Sequence, residues 1–266
     1  MTRMPNSKSA SPSEQHDNGA PLLFAFTCGW MTLDHNFLVK GETGKIRIPA
    51  TCFLIDHPKG LVLFDTGLGP RFIRPAGTEA TKFIDFTDDS SIDKRLIAIG
   101  VDPASIDWVI NSHLHLDHAG GNGFLPNATI VVQDDEWAHA AVSDDASYRV
   151  SEYDTGQPVL KVRGEHDLFG DGTIVVFRTP GHTPGHQSAR VRTAAGEAIL
   201  AADCCNMRQS LDELRLPAEC YNAELYLDTL KRLQDLRSRG TRIFYSHDPG
   251  EWAKVPQGVA LGLAEA

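Results

Sequence analysis

A layered, mixed α/β fold is predicted by three observations. Short apolar runs of strand length recur along the whole chain, stretches with helical spacing of apolar residues lie between several of them, and two early runs flank a hairpin turn, "HPKG" at 57–60. At 266 residues and 41% hydrophobic content, the chain can bury a sizeable core. No linker divides it convincingly, so a single domain is expected over residues 21–266, preceded by a polar, disordered arm over 1–20.

The elements follow in order. "LLFAFT" (22–27), "KIRIPATCFLI" (45–55) and "LVLFDTG" (61–67) read as strands. Residues 68–90, rich in Gly, Pro, Thr and Asp, read as loop. "SIDKRLIAIG" (91–100) has helical spacing and a terminal Gly, which suits a short helix. "DWVINS" (107–112) and "TIVVQ" (129–133) are strands, followed by a helical "DDEWAHAAV" (134–142) and a polar, irregular stretch over 143–172. "TIVVFRT" (173–179), "QSARVRT" (187–193) and "EAILAAD" (197–203) are strands again. The clearest helix spans 222–240, with Asn222 as its cap, apolar positions at Tyr226, Leu230 and Leu233, and Gly240 as its stop. "TRIFYSHD" (241–248) is a last strand.

Composition excludes several roles. The net charge is −10 with no basic stripe, which argues against a nucleic-acid partner and disfavours polyanionic substrates. No apolar run is long enough for a membrane span, and the N-terminus lacks the apolar core of a signal peptide, so no membrane partner and a cytoplasmic location are expected. Five cysteines with no C-x-x-C fit a reducing compartment. The oligomeric state is left open, a homodimer included.

Chemistry concentrates in "NSHLHLDHAGGN" at 111–122. His113 and His115 follow a predicted strand, and in an extended segment residues two apart point the same way, so two imidazoles can converge on one ion. Asp117 and His118 come where the chain should turn and can point at a second position, with Leu114 and Leu116 facing the core. A zinc site needs more ligands than two, and other strand ends offer them: His182 and His186 in "TPGHTPGH" (179–186), Asp203 after "AILAA", and His247 after "IFYS".

"HLHLDH" at 113–118, "GHTPGH" at 181–186, Asp203 and His247, in that order, resemble the metallo-β-lactamase superfamily. The resemblance spans most of the chain. It implies an αββα sandwich: two mixed β-sheets packed face to face, helices outside. It also implies two divalent metal ions, zinc being the natural choice for His and Asp ligands, though manganese, iron or cobalt would also suit. One ion would be held by His113, His115 and His182 and the other by Asp117, His118 and His247, with Asp203 bridging both. His186 is then an outer residue, and Asp65 in "FDTG" resembles the family's buried carboxylate that orients a ligand histidine.

The superfamily hosts many reactions, and the fold does not choose among them. "MTLDH" (31–35), "SHLHLDHAGGNG" (112–123), "TPGHTPGHQS" (179–188) and "HDPGEW" (247–252) resemble the N-acyl homoserine lactonase branch beyond the ligands. The stretch after His247 is too short for the helical region of glyoxalase II-type thioesterases. The expected activity is opening of a lactone ring, most simply an N-acyl homoserine lactone, by a hydroxide shared between the metals, with Asp117 moving the proton to the leaving alkoxide. The alternatives are another lactone, a thioester, or an arylester or organophosphate as substrate, and a metal-binding relative without turnover. Where the branch carries a tyrosine three residues after the bridging Asp, this chain has Asn206, whose amide can donate to the substrate; Tyr221 or Tyr245 could reach in instead. Trp30, Met31, Phe83 and Phe86 are candidate liners of an acyl groove, with core packing the competing role for each, and the stretch 143–172 is a candidate wall of the entrance. Cys204 and Cys205 beside Asp203 read as packing residues.

Overall fold

The computed structural model describes residues 19–75 and 83–263. Nearly all of the expected N-terminal arm, residues 1–18, lies outside them. Four strands open the fold: β1 (Leu22–Asp34), β2 (Lys45–His57), β3 (Gly60–Phe64) and β4 (Ile84–Asp85). Helix α1 (Ile92–Ala98), β5 (Trp108–Ile110), β6 (Thr129–Gln133) and α2 (Asp134–Ala140) follow. The next elements are α3 (Val150–Tyr153), β7 (Val159–Val162), β8 (His166–Asp167), β9 (Ile174–Arg178), β10 (Gln187–Thr193) and β11 (Gly196–Ala202). Helices α4 (Arg208–Glu213) and α5 (Ala223–Ser238), strand β12 (Arg242–Tyr245) and α6 (Pro249–Trp252) complete it.

Two sheets form, a seven-stranded one in the order β4-β1-β2-β3-β5-β6-β7 and a five-stranded one in the order β12-β11-β10-β9-β8. Strand alternation decides which side chain goes where. Phe53 and Ile55 of β2, Val62 and Phe64 of β3, and Val131 of β6 point inward to Ile174, Val176, Ala198, Leu200 and Phe244 of the second sheet. The residues between them, Cys52, Leu54, Leu63 and Ile130, face outward against Ile92 and Leu96 of α1. On the far side, Ile199, Ala201 and Ile243 meet Tyr226, Leu230 and Leu233 of α5. This is the expected αββα sandwich. Asn222 caps α5 by accepting the Leu225 N–H at 3.0 Å, a contact worth about 1 kcal/mol.

Three expectations change. β1 runs on to Asp34, seven residues beyond the expected end, because residues 30–34 pair with β2 across an irregularity between Thr27 and Trp30. The loop expected over 68–90 contains β4, paired to β1, and residues 76–82 of it lie outside the described part. The stretch 143–172 supplies α3, β7 and β8; β7 extends the parallel edge beside β6. No helix among the described residues is long and apolar enough to cross a membrane.

Candidate metal centre and cleft

Topology brings the strand ends together. β3, β5 and β6 run parallel in one sheet. In the other, β11 pairs parallel with β12, and β9 runs with them because both pair antiparallel to β10. The segments leaving β3, β5, β9, β11 and β12 carry Asp65, residues 113–118, His182, Asp203 and His247 respectively.

Three sets of potential ligand atoms lie within 4.8 Å of one another: His113, His115 and His182; His113, His118 and Asp203; and Asp117, His118 and His247. All seven residues singled out as ligands therefore meet in one place. Asp203 stands between the groups, its Oδ1 3.1 Å from both His118 Nε2 and His247 Nε2 and its Oδ2 3.4 Å from His182 Nε2. Asp117 Oδ2 is 3.6 Å from the Nε2 atoms of His118 and His247. His115 Nδ1 and His182 Nε2 approach to 3.2 Å. His186 is buried beside His113 but joins none of the three groups; its Nδ1 bonds Thr179 Oγ1 at 2.8 Å.

The histidines are aimed from behind. His118 Nδ1 lies 2.8 Å from Asp65 Oδ2, an acceptor, so Nδ1 carries a proton and Nε2 is the nitrogen turned towards the cluster. His113 Nδ1 lies 3.0 Å from Ser112 Oγ, which donates to Asp65 Oδ2 at 2.8 Å. His247 Nδ1 donates to the Pro49 carbonyl at 2.9 Å. Asp65 has a left-handed backbone, φ 58°, held by the Ser112 N–H at 2.7 Å and by these side chains. It thus occupies the orienting position expected of it.

The donor set fits a cation. Among the described residues His113 Nε2 is buried without a hydrogen-bond partner, an arrangement that costs free energy unless something binds it, while His118 Nε2 and Asp203 Oδ1 face each other at 3.1 Å. Burial, reinforced by neighbouring imidazoles, holds His113 and His115 well below the ordinary histidine value, in the neutral form that ligates metals. For His118, burial opposes the charged form, but Asp203, Asp117 and Asp65 outweigh it and hold the pKa well above normal. For Asp203, burial works upward, but His247 and His118 outweigh it and keep the carboxylate ionised. A cation among these groups would replace the proton that His118 otherwise retains.

The cluster floors a cleft of about 560 Å³. Met31, Leu33, Phe37, Leu38, Ile48 and Leu116 make an apolar wall; His139, Ser143, Asp145, Ser147, Tyr148, Glu219 and Tyr221 make a polar one. Of the four aromatic and Met candidates only Met31 lines this cleft. Phe86 is core, Trp30 packs against the inter-sheet core under the Arg47 guanidinium, and Phe83 lies in a separate small hollow. Leu114 is buried as expected, whereas Leu116 is half-buried and reaches the cleft. From the stretch 143–172, Ser143, Asp145, Ser147 and Tyr148 contribute to the wall. Tyr221 is at the cleft and exposed; Tyr245 faces a different hollow, its hydroxyl accepting from Arg237 at 3.2 Å. Asn206 is buried and lines the cleft, and its backbone carbonyl accepts the His247 N–H at 2.9 Å. Cys204 and Cys205 pack into the α5 core; burial pushes the Cys204 thiol up to about 12, so it stays protonated.

Sequence reasoning missed Glu136, Ser112 and Tyr148. Glu136 reads as an ordinary acid in the first turn of α2 yet is fully buried among the loops of the site. Nothing local marks it except two further acids beside it that do stay near solvent.

An αββα sandwich whose strand ends carry such a His/Asp cluster defines a metal-dependent hydrolase. The chain belongs to the metallo-beta-lactamase superfamily, whose family profile matches residues 47–247. It is 32% identical over 239 residues to the N-acyl homoserine lactonase AttM of Azorhizobium caulinodans, covering 82% of this chain and 89% of that one. Against the N-acyl homoserine lactonase AiiA of Bacillus thuringiensis subsp. kurstaki it is 30% identical over 240 residues, covering 85% and 92%. A solved N-acyl homoserine lactone hydrolase with the product N-hexanoyl-L-homoserine at its catalytic metal centre superposes with a TM-score of 0.79 at 27% identity, covering 89% of this chain and 96% of that one.

Proposed function

We propose that this protein opens neutral lactones, N-acyl homoserine lactones foremost, at two zinc ions. His113, His115 and His182 hold one ion, Asp117, His118 and His247 the other, and Asp203 spans both. The observation that carries the reading is the cleft itself. Its floor is the His/Asp cluster, one wall is apolar, and among its described lining residues there is no Lys or Arg. Anionic thioesters, β-lactam carboxylates and phosphodiesters need a cationic anchor that such a wall does not offer. A neutral lactone with an apolar tail needs none, and 560 Å³ suits a guest of that size. The relatives named as N-acyl homoserine lactonases support the same substrate. The reading takes residues 21–266 as one hydrolase domain, and the five unpaired cysteines support a cytoplasmic location.

When bound, two divalent ions supply Lewis acidity to a carbonyl and lower the pKa of a water at neutral pH. The protein does the rest. Asp117, its side chain 13% exposed at the cleft floor, takes the proton from the attacking water and returns it to the leaving alkoxide. Asn206 Oδ1 accepts from Ser246 Oγ at 3.4 Å, and its Nδ2, with no hydrogen bond among the described residues, is the group that would donate to the substrate carbonyl. Asn206→Ala should keep its metal and lose about tenfold in kcat/KM, the worth of one such hydrogen bond. Steady-state kinetics at measured metal content check this, and unchanged kinetics would remove position 206 from the substrate contacts.

The deciding experiment assays the metal-loaded protein side by side on N-acyl homoserine lactones, other lactones, thioesters, nitrophenyl esters and a phosphotriester. Lactones should lead. Full metal content with no lactone turnover overturns the proposal.

A further inference from the structure

Glu136 is the one buried carboxylate of α2, and it neither lines the cleft nor belongs to any of the three ligand groups. Its Oε1 accepts the Leu114 N–H at 3.1 Å and the Tyr148 hydroxyl at 2.9 Å. Its Oε2 accepts the Thr183 hydroxyl at 2.6 Å and the Gly185 N–H at 3.2 Å. Leu114 sits between His113 and His115; Thr183 follows His182; the Tyr148 ring lies 4.6 Å from that of His115. The approach is close enough that a Cβ at Gly185 would stand 2.1 Å from the Glu136 nitrogen, so the loop has no room to shift inward. One side chain therefore pins both loops that carry the first ligand group, and both its oxygens serve only as acceptors. The second group has further supports that Glu136 does not touch, Asp65 behind His118 and the Pro49 carbonyl behind His247, although Asp65 also reaches His113 through Ser112.

We propose that Glu136 is the positioning residue chiefly for one metal, the ion held by His113, His115 and His182, because it ties the His113–His115 segment to the His182 loop. The inference rests on the two-metal reading above. Glu136→Gln is nearly isosteric, but each carboxylate oxygen meets a backbone N–H. Whichever way the amide is turned, its NH2 faces a donor that cannot reverse, and the clamp opens.

The test is a stepwise Co²⁺ titration of the metal-free full-length protein, read by visible absorbance and by metal count. Wild type should take up two ions. Glu136→Gln should weaken one step by about 10–100-fold, as loss of an orienting partner does, and leave the other within about twofold. The weakened step should be the one abolished in His115→Ala. Thr183→Val, which removes one donor without stranding an N–H, should weaken the same step by a few-fold and guards against a Glu136 variant that fails to fold. The melting temperature of each metal-free variant reports any general damage. Equal weakening of both steps, or of neither, overturns the inference while the two-metal reading stands. Fewer than two ions in wild type overturns that reading itself.

Discussion

Replacing Asp203 by Asn should cost the protein its ions while leaving the sandwich folded. The two carboxylate oxygens face different histidines, Oδ1 towards His118 and His247 and Oδ2 towards His182, so one charge serves both positions. An amide of the same shape keeps the packing, including the support that the Tyr226 hydroxyl gives the Asp203 carbonyl at 2.7 Å, but removes that charge. Losing the ions removes several kcal/mol of transition-state stabilisation, and kcat/KM should fall by about 10³-fold or more. Unfolding supplies an independent reading. A ligand at 100 times its Kd stabilises the native state by about 2.7 kcal/mol, roughly 5–10 °C in a domain of this size. A chelator should therefore lower the melting temperature of wild type by that order and leave Asp203→Asn unmoved. Two ions retained by the variant would refute the bridging role.

Asp117→Asn should behave differently. Asp117 lies on the cleft floor, and it belongs to only one of the three ligand groups, so a weak oxygen ligand can stand in for it. What Asn cannot do is accept a proton and give it back. We expect kcat to fall by about 100-fold or more with KM changed far less, at near-full metal occupancy. Turnover close to wild type in a fully loaded variant would assign the proton to another group.

The cluster was legible because its His and Asp residues follow strand ends and come in short, chemically distinctive runs. Four ligand-type residues within "HLHLDH" leave few alternatives, and Asp203 and His247 end apolar runs that the β-period makes plain. The αββα layering was legible for a related reason. Both faces of β2, β3 and β6 are covered, so those strands read as continuous apolar runs. The cleft was not legible. Its apolar wall comes from the extension of β1 through Met31 and Leu33, a stretch with one face half-open and polar residues interleaved, whose pairing with β2 is a long-range fact. The edge strand β7 escaped notice because it is four residues long and half-exposed. Glu136 escaped because its partners are a backbone N–H, two hydroxyls and a glycine N–H from three distant segments. Nothing in its own neighbourhood distinguishes a clamp from a surface acid.

The lack of Lys and Arg among the described residues along the cleft has a further consequence for the proposed reaction. Ring opening turns an uncharged guest into a carboxylate. Asp145 and Glu219, both exposed at the polar wall, repel that new charge, and no side-chain cation along the described lining offers it a second hold. The ions alone would retain the product. A chamber with this lining suits the uncharged guest better than the charged product, so that catalysis itself changes the guest's welcome.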